Sequence, residues 1–544
     1  MPDLSNKEHM DRLKKFSQKI SRESSIPKKL VVAGPGAGKT KSFKALLDAQ
    51  PADSGVLVLT FLGNLKRELE RDLGHASSVF TFHGYCHHLL RKYAVLRRGL
   101  SNDFFYCPDS LEIIREDWKV LNNGEPPDFI SPLRSNLKNE LTEFYLDRSD
   151  YYDAIGFDDS IFRIYHSLAS EPEIDLSYDL ILIDEFQDFN KLESDFVELI
   201  SSLGPIVIAG DDDQGLYEDR LASPKHISDL YLAAEYKNYE LPYCTRCTKV
   251  IVDSANKFMQ ECEARNIIKN RIPKKFEYCP PIKEIDSKQY TFIEVVETSV
   301  QSGSVNYFGR YIEREIRSIL PDDIAKSRSE GFLTALIIAS NPFRRAIEDH
   351  FRSNPDIELQ SSKNDFEPVD RDTAIRKLAD YPKSNLWWRF ILSYDKPEGW
   401  QEIVKGSTSK DALIGLVPDE FRNSVLEEVR GLRSRDRADK TPQPIDETKP
   451  LVKIVTFEGS KGLSASHVFI AGMQDGTLPR NPKEPSHIDA KKFYVALTRT
   501  RKHCHILFSR NLGGYNNGKP SIFLDWIDDG NKRSLYADKT YFNN

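Results

Sequence analysis

The sequence predicts an α/β fold with two parallel sheets, each flanked by helices. Its main support is a set of short apolar runs bounded by polar or turn residues, which is typical of central strands covered on both faces. Four such runs lie in the first half of the chain, at residues 30–33, 56–59, 180–183 and 206–209. The same signature returns later, at residues 333–338, 452–455, 468–471 and 505–508. Two sheets separated by other material are therefore expected.

Two mainly helical stretches interrupt these runs. Residues 85–164 contain acidic and aromatic residues but no central-strand run, and a second, charge-rich stretch occupies residues 376–448. Its end, SRDRADKTPQPIDETK at 434–449, is polar and contains two prolines, as in a surface linker. The predicted divisions are a first α/β domain at 1–84 and 165–240 with a helical insertion at 85–164, a second α/β domain at 241–375 and 449–515 with a short helical insertion at 376–448, and a C-terminal tail at 516–544.

Length and composition predict a soluble protein of several domains. A chain of 544 residues is expected to divide rather than to form one core. Its hydrophobic content of 39% and charged content of 29% are ordinary for globular proteins. We find no apolar run of about 18 residues and no signal-peptide pattern, so we expect a cytoplasmic protein without membrane contact.

The net charge of −7 argues against nonspecific coating of nucleic acid. It leaves room for a local basic groove, because affinity depends on where the Lys and Arg side chains lie. Candidate basic patches, such as RSRDR at 433–437, are by themselves more typical of solvated surface.

The seven cysteines are expected to be ordinary thiols. Their odd number and scattered positions do not suggest a disulfide framework. Cys244 and Cys247 form one CxxC pair, but no second pair follows at zinc-ribbon spacing. The stretch FHGYCHHLL at 82–90 clusters three histidines with a cysteine, and here too a partly buried helix is favoured over a zinc site.

A Gly-rich turn follows the first apolar run. The segment VVAGPGAGKT at 31–40 lies between a predicted strand and a predicted helix. Glycines let backbone N–H groups converge on phosphate oxygens, and the helix N-terminus adds a favourable dipole. Lys39 is expected to reach the β- and γ-phosphates of a nucleotide, and the Thr40 hydroxyl to bind Mg2+. The predicted nucleotide-binding residues of this loop are Ala33, Gly34, Pro35, Gly36, Ala37, Gly38, Lys39, Thr40 and Lys41.

The segment YDLILIDEFQDFN at 178–190 ends a buried strand in carboxylates. In a phosphate-loop enzyme, an acidic residue at the C-terminal end of a neighbouring strand completes the Mg2+ site. Asp184 fits that role, and Glu185 is placed to position and deprotonate an attacking water. A divalent ion and a polyphosphate would then compensate the desolvated charges. A strand with an acidic cap explains Asp184 alone, but not the whole DEFQD.

These segments together resemble a family. AGPGAGKT, VLTF, TFHG, LILIDEFQD, VIAGDDDQGLY, TFEGSKGL and FYVALTRTR occur in the order found in UvrD/Rep/PcrA-like superfamily 1A helicases, between about residues 30 and 510. The resemblance implies two RecA-like domains with ATP and Mg2+ bound between them and a helical insertion in each. It also implies single-stranded or tailed DNA as the partner, with movement in the 3′ to 5′ direction.

The resemblance also implies roles for single residues. Gln214 matches the glutamine that senses the γ-phosphate, and Arg246 matches an arginine that contacts it from the second domain. Arg499 matches the arginine finger, which stabilises charge in the transition state. Lys461 and Gly462 lie in a motif that lines both nucleotide and DNA. The family positions near DNA are occupied by Phe61, Phe82, His83, Tyr217 and Arg220.

The chain departs from the family pattern mainly on the side that contacts bases and DNA. Thr245 stands where an adenine-stacking Tyr is usual, and Asp219 stands where an aromatic residue is usual. The second insertion is also short. Two other interpretations therefore remain: a nucleotide-switched DNA-sensing subunit that regulates a partner effector, such as a nuclease in an antiviral system, and a P-loop kinase. The kinase is disfavoured because it needs no second sheet bearing Arg246 and Arg499.

Overall fold

The computed structural model describes residues 11–543, apart from 61–77, 171–173, 299–306, 361–367, 408–411, 433–447, 510–517 and the short gaps at 13, 17, 21–22, 24–25, 52, 98 and 353. The strands in chain order are β1 (Lys28–Ala33), β2 (Val56–Thr60), β3 (Ser78–Thr81), β4 (Phe105–Tyr106), β5 (Ala154–Ile155), β6 (Leu180–Ile183), β7 (Ile206–Gly210), β8 (Tyr236–Leu241), β9 (Tyr243–Cys244), β10 (Glu277–Tyr278), β11 (Ile293–Thr298), β12 (Leu333–Ala339), β13 (Glu358–Leu359), β14 (Leu451–Val455), β15 (Ala465–Ala471), β16 (Thr500–Ser509) and β17 (Lys532–Ala537).

Helices lie on both sides of these strands and form the insertions. In chain order they are α1 (Lys39–Leu47), α2 (Phe82–Lys92), α3 (Ser110–Asn122), α4 (Ile130–Arg134), α5 (Glu140–Tyr152), α6 (Asp158–Leu168), α7 (Lys191–Ile200), α8 (Lys225–Leu232), α9 (Lys249–Ala264), α10 (Pro280–Gln289), α11 (Tyr307–Arg317), α12 (Pro321–Ser329), α13 (Asn341–Phe351), α14 (Arg371–Asp380), α15 (Asn385–Asp395), α16 (Trp400–Gly406), α17 (Ala412–Leu416), α18 (Asp419–Leu432), α19 (His487–Leu497) and α20 (Lys539–Asn543).

The first sheet has its strands in the order β3-β2-β6-β7-β1-β8, and every neighbouring pair is parallel. Strands β2, β6 and β7 are buried at every residue, because helices cover both faces. All four apolar runs predicted for this half of the chain are strands here. Since the strands are parallel, the segments that follow β1, β6 and β7 meet at one edge of the sheet.

The second sheet has the order β13-β14-β12-β15-β16-β11-β17 and is also parallel throughout. The four later apolar runs form its central strands, so the predicted α/β fold with two parallel sheets is confirmed. Part of the predicted C-terminal tail at 516–544 forms β17, which pairs with β11 at the edge of this sheet. This edge strand, KRSLYA, was missed because it is half-exposed and contains no apolar run.

The two helical insertions pack against each other. Helices α15 and α16 of the second insertion contact α3 of the first, and α15 also contacts α5. At this interface the Arg389 guanidinium is fully buried and its Nε lies 2.9 Å from Oδ1 of Asp117. The same carboxylate accepts hydrogen bonds from Arg148 and Tyr152. Apolar side chains of both insertions, including Ile113 of the first and Trp388 of the second, belong to one core that is continuous with the first sheet.

In the described part of the chain, none of the helices is both long enough and apolar enough to cross a membrane.

Candidate functional site

The Gly-rich loop lies between β1 and α1, as predicted. Gly36 and Gly38 have φ angles of 67° and 92°, a left-handed conformation that glycine adopts without steric cost. Gly38 is the residue immediately before α1, so the backbone N–H groups of the first helical turn face out of the sheet edge. The Lys39 ammonium folds back over the loop, with Nζ 3.3 Å from the carbonyl oxygen of Ala33.

The loop is in close contact with the second domain. A Cβ atom added to Gly36 would lie 2.4 Å from Cβ of Arg246, so no larger residue fits there without displacement. The backbone N–H of Thr245 donates to the Gly36 carbonyl oxygen over 2.9 Å. A Cβ atom on Gly34 would in turn lie 2.7 Å from the Phe276 ring. The phosphate loop is therefore packed between the two sheets.

Asp184 and Glu185 follow β6 at the same sheet edge. Burial of Asp184, reinforced by the neighbouring Glu185, raises the pKa of its carboxyl to about 7. One carboxylate oxygen accepts the N–H of Glu185, whereas no described residue donates a hydrogen bond to Oδ2. An unpaired carboxylate oxygen in a buried site is costly unless a cation or donor occupies it. Asp184 can therefore serve as a cation ligand.

Glu185 is held as a carboxylate in a strained backbone conformation. Its φ of 56° is left-handed, which is uncommon outside glycine and recurs at functional sites. Burial acts to raise the pKa of Glu185, but Lys39 and Lys461 outweigh it, so the pKa is lowered. The Gln187 amide donates to Oε2 over 2.5 Å and fixes its direction.

Gln214 connects the first domain to Arg499 of the second. The Arg499 Nη2 atom donates to Oε1 of Gln214 over 2.7 Å, and the Gln214 amide donates to Asp211 over 2.7 Å. Burial and the nearby Arg246 lower the pKa of the Arg499 guanidinium to about 9. A charge in that environment favours an anionic partner, which is what a phosphate would provide.

Lys461 makes a second buried link across the domains. Its Nζ lies 2.6 Å from Oδ2 of Asp188 and donates to the backbone carbonyl of Gln214 over 2.5 Å. The ammonium and the carboxylate are almost completely excluded from solvent. The motif that contains Gly462 is thereby attached directly to the acidic segment after β6.

Three consecutive aspartates, residues 211–213, follow β7, and basic side chains of the second domain neutralise them. The Lys274 ammonium is within 2.7 Å of Asp213 and 2.6 Å of Asp211, and it also contacts Asp212. Arg271 adds a hydrogen bond to Asp213 over 2.9 Å. These charges are satisfied within the protein, so the run serves to join the domains rather than to bind a cation.

Most of the predicted nucleotide residues of both domains line one cleft of about 240 Å³, whereas Ala33, Pro35 and Asp184 are not among its lining residues. Its walls are formed by Gly34, Gly36, Ala37, Gly38, Lys39, Thr40, Lys41, Glu185, Gln214, Thr245, Arg246, Gly462, Ser464, Arg499 and Arg501. The cleft has cations and backbone N–H groups on several sides and one carboxylate, Glu185, facing them. It can hold a polyphosphate and position a water beside it.

The residues predicted to contact DNA differ in how far they are exposed. Phe82 is 1% exposed and its ring packs on Phe189 at 4.7 Å between centroids, so the prediction that it contacts DNA is wrong. An aromatic residue in this motif packs in the core because it begins α2 directly above the first sheet. Phe61 lies outside the described residues. His83 is partly exposed and packs edge-on against Phe157 at 5.0 Å.

Tyr217 and Arg220 lie together at the domain boundary. The Arg220 guanidinium is 5.2 Å from the centroid of the Tyr217 ring, and the Lys461 ammonium is 5.6 Å from it. The Tyr217 hydroxyl donates to the backbone carbonyl of Glu458 over 3.4 Å. The second domain therefore contacts this residue through the Lys461 ammonium and the Glu458 backbone.

Several residues of the cleft were not predicted. Thr245 was noted only as a departure from the family pattern, yet it anchors the loop through Gly36. Ser464 and Arg501 line the cleft, and the Arg501 Nε donates to Oγ of Ser464 over 3.1 Å. Arg501 lies two residues after Arg499, so the TRTR pattern was the signal that could have identified it.

The known proteins and protein domains to which this chain is similar are helicases. The chain matches the model of the UvrD/REP helicase N-terminal domain over residues 122–234 and that of the UvrD-like helicase C-terminal domain over residues 435–511. It is 23% identical to the ATP-dependent DNA helicase PcrA of Staphylococcus aureus, with 92% of this chain and 84% of the relative aligned. The PcrA helicase of Staphylococcus epidermidis is 24% identical, with 94% and 87% aligned.

Proposed function

Because the chain is a UvrD/Rep/PcrA-like DNA helicase that hydrolyses ATP, we propose that it moves along single-stranded DNA in the 3′ to 5′ direction as its two domains close and open around the nucleotide. The observation that carries this proposal is the cleft in which Lys39 and Glu185 face Arg246 and Arg499. A γ-phosphate is an anionic partner for both sets of residues. Its presence favours closure and its loss favours opening, a two-state movement biased by ligand.

Hydrolysis uses residues from both domains. Glu185 is ionised and oriented by Gln187, so it can accept a proton from the attacking water. Lys39, Arg246 and Arg499 supply positive charge to the phosphate oxygens, where negative charge accumulates in the transition state. The residues need little rearrangement, because hydrogen bonds within the protein already hold Glu185 and Arg499.

Thr40 and Asp184 are the residues we assign to a Mg2+ ion. Asp184 offers the buried Oδ2 atom, which no described residue satisfies, and Thr40 lines the cleft at the start of α1. The ion supplies positive charge to the phosphate oxygens of the nucleotide when it is bound. A cation near Asp184 also compensates the burial that raises the pKa of that carboxyl.

Movement of the domains reaches the DNA through Tyr217 in this proposal. Its ring lies near the Arg220 and Lys461 cations, and its hydroxyl donates a hydrogen bond to the segment that precedes Gly462. His83 is a second candidate, and burial lowers the pKa of its imidazole to about 4, so it would contact DNA as a neutral ring. Aromatic stacking on bases tolerates any sequence and contributes about 1–3 kcal/mol per base.

The experiment that tests this function measures ATP hydrolysis and strand separation on the same three substrates: single-stranded DNA, a 3′-tailed duplex and a 5′-tailed duplex. We expect strong stimulation of hydrolysis by single strands and unwinding of the 3′-tailed duplex only. Lys39→Ala and Glu185→Gln should abolish both activities. Hydrolysis that does not respond to DNA, or unwinding of the 5′-tailed duplex only, would contradict the proposal.

The alternative of a DNA-sensing subunit that regulates an effector draws no support from these comparisons, which match helicases along nearly the whole chain. ATP hydrolysis without strand separation on any tailed substrate would favour it.

A further inference from the structure

Three histidines converge on one face of the second sheet, and none of them lines the nucleotide cleft. His467 on β15 is the direct cross-strand partner of His503 on β16, and His505 follows two residues later. Because alternate residues of a strand point to the same face, the three rings share one side of the sheet. One ring nitrogen from each of the three lies within 4.8 Å of the other two.

Two of these rings carry buried nitrogens that the protein leaves unsatisfied. The Nε2 atoms of His467 and His505 are excluded from solvent, and neither makes a hydrogen bond within the described part of the chain. Buried polar atoms without a partner are uncommon, and each costs about 1–3 kcal/mol. The two atoms belong to the same cluster, so one ligand could satisfy both.

His505 is oriented by its surroundings. Its Nδ1 lies 3.0 Å from the Tyr311 hydroxyl, and its ring is stacked on Phe469 with 4.6 Å between centroids. If Nδ1 carries the proton and donates to Tyr311, the Nε2 lone pair is free to bind a metal ion. A hydrogen bond from the second ring nitrogen is the usual support of a metal-bound histidine.

Burial and the pairing of nearby charges both favour neutral imidazoles. Burial lowers the pKa of His467 to about 3 and that of His503 to about 4, and it also lowers the pKa of His505 well below its usual range. The two nearest cations are neutralised by carboxylates: Lys502 pairs with Asp323, and Arg533 binds Glu294. The three rings can therefore offer lone pairs at neutral pH.

We propose that His467, His503 and His505 form a binding site for a divalent transition-metal ion, with Zn2+ as the best match. Three imidazoles and no carboxylate suit Zn2+ better than Mg2+ or Ca2+, which prefer oxygen ligands. Tetrahedral ligands about 2.0–2.1 Å from an ion lie about 3.4 Å apart, so small ring rotations would complete the geometry. His503 is only partly buried, which gives the ion a route in and leaves a fourth position for water.

Such an ion would join β15 to β16 four residues after Arg499. None of the three histidines lines the cleft assigned to the nucleotide, so the effect of the ion is expected on stability rather than on the chemical step. An ion that binds the folded state alone raises the midpoint of thermal unfolding, and the stabilisation grows with the logarithm of the ion concentration once that concentration exceeds the dissociation constant.

The test uses the full chain stripped of metal by a chelator and titrated with Co2+, whose tetrahedral complexes absorb in the visible range. We expect one equivalent of Co2+ with tetrahedral absorption bands, displaced by Zn2+, and a higher melting temperature with either ion. His503→Gln should abolish the bands, and Tyr311→Phe should weaken Co2+ binding about 10–100-fold. His88→Gln is the control, because His88 is exposed and lies in the first domain.

Absence of the bands from the unmodified chain would overturn the proposal without reference to any variant. Bands that persist in His503→Gln with unchanged affinity would also overturn it, provided that circular dichroism shows that this variant is folded. Both outcomes are independent of ATP hydrolysis, so they do not test the function proposed above.

Discussion

The Arg499 guanidinium donates a hydrogen bond of 2.7 Å to the side-chain carbonyl of Gln214 across the domain boundary. Each residue has a further partner on its own side: the Arg499 Nε donates to the Val495 carbonyl, and the Gln214 amide donates to Asp211. The contact therefore holds the arginine close to the phosphate loop. A γ-phosphate that enters the cleft can replace Gln214 as the hydrogen-bond partner of the Arg499 guanidinium without a large movement of the arginine.

Gln214→Glu tests this relationship. A carboxylate at this position should pair with Arg499 and repel the γ-phosphate, and we expect kcat for DNA-stimulated ATP hydrolysis to fall about 10²–10³-fold. Steady-state kinetics on single-stranded DNA measure the effect. Gln289→Glu makes the same chemical change at an exposed position and should leave kcat unchanged. Equal rates for Gln214→Glu and the unmodified chain would show that the Arg499 contact has no part in hydrolysis.

Gly36→Ala tests the packing of the phosphate loop against the second domain. The added methyl group would lie 2.4 Å from Cβ of Arg246, so the loop or the arginine must shift. A displacement of about 1 Å at a reacting centre is commonly worth about 10²-fold in rate. The matched control is Gly399→Ala, which has a similar φ of 75° but open space around it. Both variants carry the backbone strain, whereas only Gly36→Ala should lose ATP hydrolysis.

The effect of substituting Lys461 is expected to depend on whether Asp188 is present. Lys461→Met leaves a buried carboxylate without its partner, and breaking such a pair costs about 3–5 kcal/mol. We expect kcat/KM for ATP to fall at least about tenfold, because this pair joins the domains beside the cleft. Adding Asp188→Asn should recover part of the loss. A double-mutant cycle measures the coupling, and strictly additive effects of the two changes would show that the two side chains do not interact.

The sequence predicted those features of the fold and of the site that residues close together in the chain specify. The phosphate loop and the carboxylates after β6 were found because strand, turn and chemistry are adjacent in the chain. Contacts such as Thr245 with Gly36 join residues about 200 positions apart, and no local pattern specifies them. Phe82 was misjudged because a core aromatic and a DNA-stacking aromatic look alike in a motif. The edge strand β17 lacks the apolar run by which central strands are recognised.

Arg389→Ala tests the interface between the helical insertions. The guanidinium is fully buried against Asp117, so its removal leaves a carboxylate short of one partner, and we expect a cost of about 3–5 kcal/mol. Thermal unfolding should show a clearly lower midpoint. Arg376→Ala removes an exposed arginine of the same insertion and should change stability by less than about 0.5 kcal/mol. Similar midpoints for the two variants would mean that the buried pair does not hold the insertions together.

Whether the two domains share one hydrolytic site is measured by comparing Arg499→Ala with the unmodified chain in two assays: binding of a non-hydrolysable ATP analogue and kcat for hydrolysis on single-stranded DNA. If Arg499 completes the cleft from the second domain, kcat falls about 10³–10⁵-fold, while the dissociation constant for the analogue changes far less. A kcat within tenfold of the unmodified chain would contradict the assignment of hydrolysis to a site shared between the two domains.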